Sequence, residues 1–180
     1  VIALVDLGAG FPEAIIQNAA ASDIYGADFE VKLSPAPAWA LSLNGTLLES
    51  EITDWESADP AEVAARVGNE LPGTPEVSLS GKVEWKDDIR NDLTLGASAW
   101  ATYSSGTYRD IANTEDLRAD DALVFNARID LETQGGWSIY VMGENIFDNE
   151  YVTSVRSLVG MYGEYYGAPS TFKTGLRYSF

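Results

Sequence analysis

The 180 residues contain no cysteine and no histidine. Without cysteine, neither a disulfide framework nor a thiolate metal site holds the fold together. Without histidine, the commonest general base and the commonest metal ligand are both missing. Hydrolases built on a Ser–His or Asp–His pair are thereby excluded, and nothing in the composition points to an enzyme or a bound cofactor. Basic residues are scarce: 11 Lys and Arg stand against 28 Asp and Glu, a formal charge of −17. Such a surface repels phosphate, so nucleic acid is not an expected partner. No apolar run reaches the ~18 residues of a membrane-spanning helix, a limit that does not touch strands, which cross a bilayer with ~9–11 alternating residues. The chain opens at Val1 with no Met and no cleavable apolar leader. It reads as a mature product or, as the working expectation, a piece of a longer protein.

What is present is strict alternation. In the last ten residues Phe172, Thr174, Leu176, Tyr178 and Phe180 face one way, while Lys173, Gly175, Arg177 and Ser179 face the other. Period two marks a half-buried strand, and an aromatic carboxy-terminus on such a strand suits an outer-membrane barrel with an apolar face toward lipid. The same pattern recurs near Tyr25–Leu33, Trp39–Leu47, Val77–Trp85, Leu93–Tyr103 and Leu123–Leu131. Residues 137–147 form a less well phased strand, and residues 1–7 end another, giving about eight strands. A short turn of helix is expected at 60–66. Connections sort by parity. Short turns fall at 34–38, 86–92 and 133–136; long links run over 49–72, 108–121 and 148–168, with a smaller one at 8–14. Short turns at one rim and long loops at the other are how outer-membrane barrels are built. Trp39, Trp85, Trp137, Tyr178 and Phe180 cluster at the short-turn, periplasmic rim as an aromatic girdle. The expected fold is therefore all-β, a transmembrane antiparallel β-barrel in the bacterial outer membrane, with residues 1–180 as one barrel segment.

Five motifs in order carry a family resemblance. Tyr25-Gly26-Ala27-Asp28-Phe29-Glu30 resembles a Tyr-Gly-x-Glu-x-Glu strand, with Asp28 in place of Glu. Gly68-Asn69-Glu70-Leu71-Pro72-Gly73-Thr74-Pro75 resembles Gly-Asn-x-Leu-Pro-x-x-Pro. Asn145-Ile146-Phe147-Asp148 with Tyr151 resembles Asn-Leu-Phe-Asp-x-x-Tyr. Gly167-Ala168-Pro169-Ser170-Thr171-Phe172 resembles Gly-x-Pro-Arg-x-Phe, with Ser170 for Arg. Tyr178-Ser179-Phe180 is similar to a closing signal. From about Asn18 to Phe180 the chain thus resembles the C-terminal part of a TonB-dependent outer-membrane receptor. The resemblance implies a 22-stranded barrel, of which this chain has length for about a third, and no plug domain is recognised in it. It also implies uptake of a scarce solute (siderophore-iron, cobalamin or carbohydrate), a TonB complex acting through a plug, and the barrel-assembly machinery reading Tyr178 and Phe180. Outer-membrane lipid and lipopolysaccharide would surround the barrel. Read physically, the motifs are mainly architectural: Gly26 and Gly175 admit a neighbour's bulk, and Pro72, Pro75 and Pro169 sit at strand starts. Asn145 and Asp148 bond local backbone.

Candidate chemistry is sparse. Asp87-Asp88 and Asp120-Asp121 read as solvated turn charges. The acidic stretch Glu49, Glu51, Asp54, Glu56, Asp59, Glu62 and Glu70 reads as a hydrated extracellular loop without Ca²⁺-loop spacing. Gly8-Ala9-Gly10 lacks the third glycine of a dinucleotide fingerprint, and Asn44-Gly45-Thr46 lies mid-strand. The ligand-binding candidates are loop aromatics and one cation: Trp55, Tyr108, Arg109, Tyr162, Tyr165 and Tyr166. Tyr165 and Tyr166 equally suit an upper aromatic band. Two other readings stay open: a self-contained eight-stranded barrel of structural or adhesive role, and a soluble acidic β-domain that binds carbohydrate.

Overall fold

The computed structural model describes the backbone of residues 2–6, 12–16, 20–158 and 161–180, and the side chains of 21–155 and 163–180. The strands are β1 (Ile2–Asp6), β2 (Pro12–Ile16), β3 (Ala20–Leu33), β4 (Trp39–Trp55), β5 (Val77–Arg90), β6 (Leu93–Ser104), β7 (Ala122–Thr133), β8 (Trp137–Glu144), β9 (Val152–Leu158), β10 (Met161–Tyr166) and β11 (Thr171–Tyr178). Seven of them make one antiparallel sheet in the order β11-β8-β7-β6-β5-β4-β3, while β1–β2 and β9–β10 are separate hairpins. The strand expected at residues 1–7 is therefore β1, and it lies outside the main sheet. Gly8–Gly10 lies outside the described residues. The sheet is open. β3 and β11 occupy its two edges and do not pair with each other, so the eight-stranded self-closed barrel is not the arrangement seen.

Register explains why the alternation matters. Phe29 pairs Gly45, Gly45 pairs Leu79, Leu79 pairs Tyr103 and Tyr103 pairs Leu123. Farther along, Ile129 pairs Val141, and Val141 pairs Thr174. The apolar set of every strand thus falls on one face of the sheet. Its members stand exposed rather than packed: Leu43 is 43%, Ile139 46%, Val141 53% and Leu176 68% exposed. A water-soluble sheet does not leave a continuous apolar face uncovered, and lipid removes the penalty. Tyr25 to Leu33 spans eight residue rises, roughly 27 Å along the strand and about 20 Å after a ~40° tilt, close to the apolar band of a membrane barrel.

The opposite face is polar and self-neutralised. Glu30–Lys32 and Lys82–Glu84 each close at 2.7 Å along one strand, and Arg128–Asp130 at 2.5 Å. Lys86 reaches past the side-chain-free Gly96 to Glu132 at 2.7 Å, and Lys173 pairs with Glu144 across β8 and β11. The short turns expected at 34–38 and 133–136 and the girdle are in place, while the one expected at 86–92 shrinks to residues 91–92 because β5 runs to Arg90. Trp39 is paired with Trp85, and Trp137 with Tyr178, whose rings lie 4.6 Å apart, with Phe180 stacked beyond.

Several boundaries differ from expectation: β9 and β10 occupy most of the link expected at 148–168, and β2 begins inside the one expected at 8–14. β4 continues to Trp55, so Glu49, Glu51 and Asp54 belong to a strand and not to a loop; pairing with β3 as far as Ala20 carries them upward. Asp87 and Asp88 lie inside β5, facing Leu95 and Thr94 on opposite faces. The expected helical turn is α1 (Pro60–Ala64), capped by Asp59, whose carboxylate accepts from the Ala61 N–H at 2.9 Å. Capping by Asp with proline in the first turn is a favoured helix start.

Candidate functional site

The long connections gather at the rim opposite the girdle. Residues 56–76 fold over the top of β4 around a small apolar cluster of Ile52, Trp55, Val63, Leu71 and Ile111. Trp55 is 6% exposed, and the Arg66 guanidinium covers its ring at 4.6 Å. Trp55 is therefore a packing residue of the loop and presents no free face to a solute.

The second long loop, residues 105–121, is pinned at its base. Thr107 and Ala119 exchange backbone hydrogen bonds at 3.1 and 2.9 Å. Asp121 accepts from the Tyr103 hydroxyl at 2.7 Å and the Gly106 N–H at 2.8 Å. These two donors, the hydroxyl first, hold its carboxyl below the usual carboxylate range. Tyr108 donates its hydroxyl to Glu115 at 2.9 Å, which raises the phenol above its ordinary value, and Arg118 lies over the ring at 5.7 Å.

Arg109 is the group this loop delivers. It borders a cavity of about 380 Å³ walled by the polar face at Thr102, Ser104 and Val124, roofed by Tyr151 and Thr153, and carrying one acid, Asp120. One Nη donates to the Val152 carbonyl at 3.4 Å, while Nε is buried without a partner. The guanidinium has further N–H donors on its two Nη atoms, the groups by which a cavity-lining arginine meets an anion or carbonyl. A larger concavity of about 620 Å³ lies along β3–β6, but its charged lining is Asp28 and Glu30, which repels such a ligand.

The β9–β10 hairpin completes the rim. Tyr165 pairs Ser154 and Tyr166 pairs Val152 across a register shift, which puts both tyrosines one strand away from the Arg109 cavity. Tyr165 is 56% and Tyr166 58% exposed, and the Tyr166 hydroxyl donates to Glu164 at 2.5 Å. That bond raises the Tyr166 phenol. The Tyr162 side chain lies outside the described residues. Of the six sequence candidates, then, Arg109 lines the cavity, Tyr165 and Tyr166 stand beside it, Tyr108 neighbours Arg109 in the chain, and Trp55 is packed away. Tyr151, read in the sequence only as a motif residue, and Thr153, absent from that reading, form the roof; only the fold of the hairpin places them there.

The Asn145 motif ties this rim together. Asn145 is buried, in the left-handed region at φ 48°. Its amide donates to the carbonyls of Asn149 at 2.9 Å and Ala168 at 3.1 Å and accepts from the Asn149 N–H at 3.0 Å. Asp148 accepts from the Ser170 N–H at 2.7 Å. The motif thus joins the end of β8 to the start of β11, the architectural role its residues suggest.

Residues 1–146 match the family described as TonB dependent receptor-like, beta-barrel. The chain belongs to that family. Its members are receptors of the bacterial outer membrane and not enzymes, so the apolar face meets lipid and the polar face lines the lumen. The ferric yersiniabactin uptake receptor FyuA from Yersinia pestis is similar in fold, with a TM-score of 0.78 at 23% identity, over 91% of this chain and 24% of that one. BauA, the ferric preacinetobactin receptor from Acinetobacter baumannii, gives 0.72 at 18% identity, over 100% and 25%. The siderophore receptor PiuA from the same species gives 0.68 at 19%, over 87% and 22%. The chain therefore spans about a quarter of the length of these receptors, and at such identities the likeness is one of fold. No curated protein sequence matches the chain. The reading as a soluble carbohydrate-binding domain falls with the family match.

Proposed function

We propose that this chain serves TonB-dependent uptake of an anionic ferric siderophore, supplying lumen wall, extracellular loops and the closing strand. The carrying observation is the Arg109 cavity at the loop rim, where a half-buried guanidinium stands among hydroxyl-bearing side chains, with Asp120 the one acid in the lining. An anionic chelate gains a charge-assisted hydrogen bond there. Tyr165 and Tyr166 add exposed rings beside the cavity, with Tyr162 on the same strand. Residues 1–180 act as one barrel segment; a plug outside it couples to the TonB complex, and the barrel-assembly machinery recognises Tyr178 and Phe180. Outer-membrane lipid and lipopolysaccharide bound the outer face.

Uptake of radio-iron by iron-starved cells, supplied as a panel of catecholate and hydroxamate ferric complexes, tests this. Arg109→Ala is expected to lower uptake of the transported complex about tenfold, the worth of one charge-assisted hydrogen bond. Transport of cobalamin or an oligosaccharide, with no ferric complex taken up, would overturn the substrate class.

A further inference from the structure

Arg109 is held from a loop other than its own. The Gly73 N–H, in the first long loop, donates to the Tyr108 carbonyl at 2.9 Å. Asn69, in that same loop, donates from Nδ2 to the Ile111 carbonyl at 2.9 Å. The Arg109 backbone therefore lies between two clamped points. Two residues on, Asn113 closes a reciprocal pair with Glu70: its Oδ1 accepts from the Glu70 N–H at 2.8 Å, and its Nδ2 donates to the Glu70 carbonyl at 3.0 Å. The side-chain amide carries a donor and an acceptor on separate atoms of one short tip, and Asn113 sits at φ 51°, a left-handed conformation that asparagine tolerates. Below the clasp, Ile111 packs on buried Ile52 and Trp55 of the other loop.

We propose that Asn69 and Asn113 are positioning residues that join the two long loops into one cooperative cap, so that Arg109 is presented and released by both loops together. Segments sharing a polar clasp and an apolar cluster open as a unit, while separate loops open independently. The functional consequence for Arg109 rests on the ligand reading above; the coupling itself does not.

Hydrogen exchange by mass spectrometry on the protein assembled in detergent tests the coupling without any ligand. Asn113→Gly keeps the left-handed backbone and removes the clasp; Asn69→Ala removes the bond to Ile111. Either substitution is expected to raise exchange about tenfold in residues 66–74 and 107–114 together, leaving β7 and β8 unchanged. A rise confined to the loop that carries the substitution would overturn the proposal. If Asn113→Gly fails to assemble, judged by lost heat-modifiable gel migration, Asn69→Ala decides alone by the same criterion. Should Arg109→Ala leave iron uptake intact while exchange stays coupled, the ligand reading fails and the cap stands. Uncoupled exchange with Arg109-dependent uptake is the reverse.

Discussion

Tyr140 is fixed on the lumen wall from two sides. The Arg128 guanidinium stacks over its ring at 4.1 Å, and across the strand pair lies Gly175, where a Cβ would stand 2.3 Å from the ring. Gly175→Ala is expected to push the ring off, undo the stack and cost about 1–2 kcal/mol. The temperature at which the folded band is lost on a gel measures this; Gly163→Ala, with nothing within 4 Å, serves as the control that leaves it unchanged. Asp121 yields a pH prediction. Its folded value is depressed, so its anchor on Tyr103 and Gly106 stabilises the loop above the unfolded carboxylate value. That contribution is lost as pH falls through the lower folded value. The Gly106 amide chemical shift is expected to titrate only below the ordinary carboxylate range; titration at the ordinary value would contradict the anchor.

At the scale of the strand, a single step in register separates lipid from lumen. Leu43 and Asn44 are neighbours in β4, midway between Trp39 and Leu47, yet they face opposite sides. Leu43→Arg places a cation in the hydrocarbon and is expected to destabilise by about 2–4 kcal/mol. Asn44→Arg enters a wet wall opposite Glu30 and is expected to change stability by less than about 1 kcal/mol. Urea unfolding in lipid vesicles distinguishes them, and equal losses would contradict the assignment of faces. These faces were legible in the alternation of each strand. The continuation of β4 to Trp55 was not, because Glu49, Glu51 and Asp54 look like loop residues until β3 is known to pair with them.

For the whole molecule, the decisive feature is the open sheet. β3 and β11 each leave a row of backbone donors and acceptors unpaired within the sheet, which hydrocarbon does not tolerate. Residues 1–180 expressed alone are therefore expected to give higher oligomers or aggregates in detergent. A compact, heat-modifiable species of the mass of one chain would instead show that the segment closes by itself. The count of about eight strands matches the seven in the sheet plus β1, and missed β2, β9 and β10. Strand number follows from period, but closure depends on which edges meet, and no local pattern encodes that.

Composition and periodicity by themselves determined the class of the molecule, because a strand one residue out of phase would bury charge in lipid along its whole length. They also marked Arg109, since a cation beside an aromatic in an acidic loop is visible without coordinates. Only the tertiary structure decided which aromatics were available. Trp55 disappeared into packing, while Tyr151 and Thr153 came to roof the cavity. Both outcomes depend on contacts between loops far apart in the chain, where hydrogen bonds from Asn69, Asn113 and Asn145 set the geometry. An asparagine in a loop looks the same in sequence whether it faces water or holds two loops together.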